Sequence, residues 1–145
     1  MDAFSLDPRL DADTRTILDL ALCRVLLMRD VDHPWVILVP RRAGVVEILD
    51  LYAADRAELF DEITRVAEAL RDATAAHKLN VAALGNVVSQ LHVHVVARFH
   101  DDPAWPNPVW GRAPARPLDT AALDALETAM VARLGGAPIP GQRQR

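Results

Sequence analysis

The sequence predicts an α+β fold: a mainly antiparallel β-sheet with one long helix packed on it and a second helix near the C-terminus. Three features carry that expectation. Short runs rich in β-branched residues recur before the midpoint and after it. A single apolar stripe at three-and-four spacing marks one long helix, and two strand-like runs are separated by a connection too short for a crossover.

Taken in order, residues 1–15 mix Asp2, Asp7, Asp11 and Asp13 with arginine and contain no apolar signal core. Residues 16–28 are densely apolar (Ile17, Leu18, Leu20, Leu22, Val25, Leu26, Leu27) and read as a helical start passing into a strand over 24–28. The polar stretch 29–34 ends in Pro34 and reads as a turn into a strand over 35–39, which stops at Pro40. A helix is predicted over 53–77, with Leu59, Ile63, Val66, Leu70 and Ala73 on one face and acids and arginines on the other. Strands over 78–84 and 91–99 follow, joined by Gly85 and Asn86. Residues 102–117 hold five prolines together with Trp105 and Trp110, and read as an ordered but irregular loop. Asp119 is the expected N-cap of a last helix carrying Leu123, Leu126, Met130 and Leu134, ended by Gly135 and Gly136. Residues 1–136 are expected to form one domain and 137–145 a flexible tail.

At 145 residues the chain suits one core, burying roughly two thirds of the surface its unfolded form exposes. A net charge of -4 speaks against a binder of duplex nucleic acid, which needs clustered positive charge. Cys23 is the single cysteine, so no intramolecular disulfide is expected and it reads as a small buried hydrophobe. With no apolar run of about 18 residues, no membrane span is predicted and the cytoplasm is the expected location.

The chemistry concentrates after Gly85. Residues 89–98 alternate polar and apolar, which projects Gln90, His92 and His94 from one face at ~6.6 Å intervals, close enough for two imidazoles to share one phosphoryl group. Near neutral pH a histidine can be either a nucleophile or a donor. On residue chemistry alone three roles stay open for the pair: hydrogen-bonded core residues, metal ligands, or nucleophile and donor. Arg98 and His100 continue the same phase, either as auxiliary donors or as partners of Asp101 and Asp102. Trp105 and Trp110 either stack on a base or bury themselves against the domain. Neither a P-loop nor a dinucleotide fingerprint is present.

The stretch Gln90-Leu91-His92-Val93-His94-Val95-Val96 resembles the motif of the histidine triad (HIT) family of nucleotide hydrolases and transferases, with glutamine where the family has its first histidine. The likeness runs over about 24–98. It implies that His92 attacks the α-phosphate of a nucleotide and forms a nucleotidyl-histidine, and that His94 stabilises charge on the transferring phosphoryl group. For Gln90 two roles stay open: its backbone carbonyl, which any residue type supplies, orients the second ring nitrogen of His92, or its amide reaches phosphate without shuttling a proton. It further implies phosphate contacts from Gly85 and from Asn86 or Asn80, with Val87 replacing a hydroxyl residue found in several relatives. A nucleoside cleft lined by Leu27, Val36 and Leu38, with Trp105 over it, is the corresponding expectation. The resemblance also implies a twofold homodimer joined strand to strand. The expected substrates are dinucleoside polyphosphates or nucleoside phosphoramidates. No cofactor is expected to be required, although a divalent cation can accompany a polyphosphate. Two other readings remain: a nucleotide-binding module with weak turnover, motivated by Gln90 and Val87, and a metal-binding β protein using His92, His94 and His100.

Overall fold

The computed structural model describes residues 3–135. In chain order these form helix α1 (Pro8–Asp13), strands β1 (Thr14–Asp19), β2 (Cys23–Met28) and β3 (Trp35–Pro40), and a 3-10 turn (Ile48–Asp50). Helix α2 (Ala53–Thr74), strands β4 (Lys78–Ala82) and β5 (Val93–Arg98), and helix α3 (Thr120–Leu134) complete them. All five strands share one sheet in the order β1-β2-β3-β5-β4, with every neighbouring pair antiparallel. This is the α+β arrangement expected from the sequence. The predicted tail over 137–145 lies outside the described residues.

Both sheet faces are covered, which explains why β3 and β5 are buried at every position and read as continuous apolar runs. On one face, Val25, Leu27, Val36, Leu38, Val93 and Val95 meet Leu59, Val66 and Leu70 of α2 and Leu123 and Met130 of α3. On the other, Leu26, Trp35, Ile37, Val39 and Val96 are covered by Leu10 of α1 and by Val88, Ala104 and Val109 from irregular segments. A side chain of leucine or valine size, fully buried in either layer, is worth about 1.5–3 kcal/mol relative to exposure.

Several boundaries differ from the sequence expectation, each for a local reason. Residues 14–19 form a strand rather than a helical start. The β1–β2 register slips between Thr16 and Leu18, so both Ile17 and Leu18 turn inward and the period-two signal is lost. Helix α1 comes just before, with Pro8 in its first turn and the Asp7 side chain accepting from Arg9 N–H at 2.8 Å. Helix α2 stops at Thr74 instead of 77, because Ala75 turns left-handed at φ 58° and its N–H closes on the Arg71 carbonyl. Helix α3 follows expectation, with Asp119 accepting from Ala122 N–H and Gly135 in the left-handed C-cap.

The largest departure lies between β4 and β5. Residues 83–92 leave the sheet rather than turning tightly at Gly85 and Asn86, and Leu91 N–H donates to the Val45 carbonyl at 3.0 Å. His92 therefore sits at the end of a long connector, one residue ahead of β5.

Glu62 also breaks the expected pattern, being fully buried on α2 among apolar neighbours. Its carboxylate accepts from Leu22 N–H at 2.9 Å and Cys23 N–H at 2.7 Å, satisfying the hairpin between β1 and β2. Glu62→Leu leaves both amides without partners, so urea unfolding is expected to show a loss of about 2–4 kcal/mol. A wild-type midpoint would show that those amides find water instead.

Candidate functional site

Two imidazoles meet where the connector enters β5. His94 pairs with Ile37 of β3 across the sheet. The ring of His92 stands beside it, with centroids 4.9 Å apart and planes inclined at 67°. Both are largely shielded, His92 at 7% and His94 at 5% exposure.

Their hydrogen bonds assign different tasks to the two rings. His92 Nδ1 lies 2.7 Å from the Gln90 carbonyl oxygen. A carbonyl only accepts, so Nδ1 carries the proton and the neutral ring keeps its lone pair on Nε2. For His94 the polarity is reversed: Trp35 donates its indole N–H to His94 Nδ1 at 3.0 Å, which places the proton of the neutral ring on Nε2. One ring offers an electron pair and its neighbour an N–H. Trp35 and Trp110 pack edge-on to His94 at 5.6 and 5.4 Å, fixing its ring plane.

Burial, reinforced by the nearby His92, pulls His94 down to about 4 from the ordinary 6.5. The folded chain thus holds His94 neutral where the unfolded chain would protonate it. Below the unfolded value the unfolded state binds more protons, so stability is retained above about pH 6.5 and declines as pH falls toward 4. That gap corresponds to on the order of 3 kcal/mol. Urea titrations at pH 7 and pH 4.5 are expected to differ by more in the wild type than in His94→Gln, and equal losses would remove His94 as the source.

The remaining predicted residues scatter. Gln90 lies in the connector, and its amide is engaged with the N-terminal segment through Asp7 N–H and the Ser5 carbonyl, each at 2.8 Å. Leu27, Val36 and Leu38 face the helix-covered core with no exposure, so the expected nucleoside lining is corrected. Pairing of Leu26 with Ile37, and of Ile37 with His94, puts the opposite set on the histidine side. Arg98 and Asn80 bond to each other at 2.7 Å, and Arg98 is buried against Asp102 and the Asn107 carbonyl. Four of its five N–H donors are taken within the protein. Trp105 stacks edge-on with His77 and His100 under the Arg98 guanidinium, so it is Trp110 that reaches His94.

Asn86 is exposed, and Gly85, at φ 75°, lines an open cavity of about 410 Å³ with Val46, Leu49, Arg56 and Leu91. Neither imidazole lines that cavity. Among the described residues no group of three or more His, Cys, Asp or Glu side chains is placed to hold a metal ion. His100, grouped with His92 and His94 in the metal reading, instead sits 3.6 Å from the His77 ring. Also among the described residues, no helix is long and apolar enough to cross a membrane.

Sequence reasoning missed Trp35 and Trp110 as partners of His94. Their approach depends on strand register and on the path of the 104–110 loop, neither of which leaves a local signal.

Comparison with known proteins agrees with this fold. Structures of histidine triad proteins from Bradyrhizobium japonicum (46% identity, TM-score 0.88, covering 91% of this chain and 98% of that one) and Sinorhizobium meliloti 1021 (45%, 0.86, 90% and 96%) are similar throughout. One from Marinobacter aquaeolei VT8 is similar at 41% identity and TM-score 0.88, covering 92% and 98%. No curated protein matches. The family described as HIT domain matches residues 9–101, and with these likenesses the chain belongs to the HIT family of histidine triad proteins.

Proposed function

We propose that this chain is a nucleotidyl hydrolase or transferase that attacks the α-phosphate of a nucleotide derivative through His92 Nε2. The observation that carries the reading is the pairing of opposite tautomers: Gln90 holds the proton on His92 Nδ1, while Trp35 holds a proton on His94 Nε2. The lone pair of His92 forms the N–P bond as the bond from phosphorus to the leaving group breaks. His94 donates to a phosphoryl oxygen where negative charge accumulates. Water then attacks phosphorus and gives up one proton to solvent, the N–P bond breaks, and its electron pair returns to Nε2.

No group in this reading serves as a strong acid. Gln90 cannot carry a proton, and His94 is held neutral. Leaving groups that depart as stable anions, such as the nucleotide half of a dinucleoside polyphosphate, are therefore favoured over amines, which must take a proton from water. A divalent cation enters only as the counterion of such a polyphosphate. The family resemblance adds a twofold homodimer joined strand to strand, and of the two edge strands, β1 and β4, we assign the junction to β4, which exposes Val81.

Mass spectrometry of protein quenched during turnover of a dinucleoside polyphosphate or a nucleoside phosphoramidate tests the reading. A nucleotidyl adduct mapped to His92 is expected, and an adduct on His94 would reverse the assignment. A second reading, a nucleotide-binding module with weak turnover, is favoured by the engagement of the Gln90 amide elsewhere. Tight nucleotide binding with no adduct would select it.

A further inference from the structure

The side chain of Gln90 faces a segment that the chemistry above does not use. Its Oε1 accepts the Asp7 N–H and its Nε2 donates to the Ser5 carbonyl, both at 2.8 Å. A primary amide presents acceptor and donor side by side, so it can bond an extended chain much as a neighbouring strand does. Imidazole cannot, because its two nitrogens point away from each other. Arg9 adds a third tie, donating to the Val87 carbonyl at 2.9 Å. Beside these ties Phe4 and Leu6 pack onto the histidine-side face of the sheet, next to buried Leu10, and Arg24 lies 5.6 Å above the Phe4 ring. Residues 4–10 are thereby fastened along the connector that delivers His92.

The same residue meets the nucleophile through its main chain, since the Gln90 carbonyl accepts His92 Nδ1 at 2.7 Å. We propose that Gln90 is a positioning residue that couples the N-terminal segment to His92: its side chain holds the segment, and this fixes the carbonyl that sets the tautomer and aim of the imidazole. The inference rests on the reading of His92 as nucleophile. Releasing the side chain leaves the carbonyl in place chemically but free to shift, and small misplacements at a reacting atom cost rate out of proportion to the energy that held it.

Asp7 allows the coupling to be tested in the full chain. Its φ of -55° suits proline, so Asp7→Pro removes the N–H that Gln90 accepts while keeping φ at that position. Asp7→Ala is the control, losing the helix cap while keeping the N–H. Two readouts are needed: the ring ¹⁵N shifts of His92, which report tautomer with no substrate present, and the single-turnover rate of adduct formation from a dinucleoside polyphosphate. The wild type is expected to show one tautomer, protonated on Nδ1. Gln90→Met and Asp7→Pro should each mix the tautomers and slow adduct formation about tenfold beyond Asp7→Ala, and the double variant should be no slower than either alone. Unchanged ring shifts in Gln90→Met, or additive rate losses, would overturn the coupling. If the wild type forms no adduct, the nucleophile reading fails, and the ring shifts still decide whether Gln90 holds His92.

Discussion

Replacing His92 with alanine is expected to lower nucleotide release from a phosphoramidate or dinucleoside polyphosphate by about four orders of magnitude while leaving the fold intact. The size follows from the absence of a stand-in. His94 is the nearest other imidazole, but its Nδ1 accepts from Trp35 and its Nε2 carries the proton, so no lone pair faces a substrate. Gln90 is no nucleophile, and its amide is held by the N-terminal segment. Loss of the ring removes one hydrogen bond, to the Gln90 carbonyl, and opens a modest cavity near the surface. Activity and stability should therefore separate: near-normal circular dichroism with release at the buffer rate. Equal release by wild type and variant would end the enzymatic reading.

How far the site was legible in the sequence depends on which interactions are local. The order of polar and apolar residues over 89–98 placed His92 and His94 together because alternation along an extended chain is a local property. Helix α2 and the caps of α3 were legible for the same reason. Face assignment was not: Leu27, Val36 and Leu38 are as apolar as Leu26 and Ile37, and only register says which set accompanies His94. With both faces of the sheet covered, burial gives the central strands no alternation to read. The bulge in β1 erased its period, and the 83–92 connector concealed that the Gln90 side chain turns toward Ser5 and Asp7. Trp105 and Trp110 were indistinguishable in composition. Asp102 separates them by pinning the loop from which each departs.

That role makes Asp102 the position where a single substitution should cost the most stability. Its side chain is 2% exposed and faces Arg98, itself 1% exposed, through contacts of 2.8 and 3.1 Å. The carboxylate also accepts N–H groups of Phe99, Ala104 and Trp105 at 3.1, 3.0 and 2.8 Å, and His33 Nε2 lies 3.4 Å away. Burial works against its ionisation, but Arg98 and the N–H groups of Phe99 and Ala104 outweigh it and hold the carboxyl well below the usual carboxylate range. Its contribution is present above the ordinary carboxylate value of about 4 and is lost as pH falls through the depressed one, a window below that of His94. Asp102→Ala strips the carboxylate from a buried guanidinium and leaves the N–H groups of Phe99 and Ala104 without partners, while Trp105 N–H keeps the Asp102 main-chain carbonyl at 3.2 Å, so a loss of about 3–5 kcal/mol is expected in urea unfolding at pH 7. Adding Arg98→Met to that variant should recover part of the loss, because the unpaired charge disappears with it. The outcome also bears on Arg98 itself. A guanidinium whose work is to hold the loop gives a non-additive cycle in stability, whereas one spent on substrate would leave the stability losses of Asp102→Ala and Arg98→Met additive and show its own effect in KM.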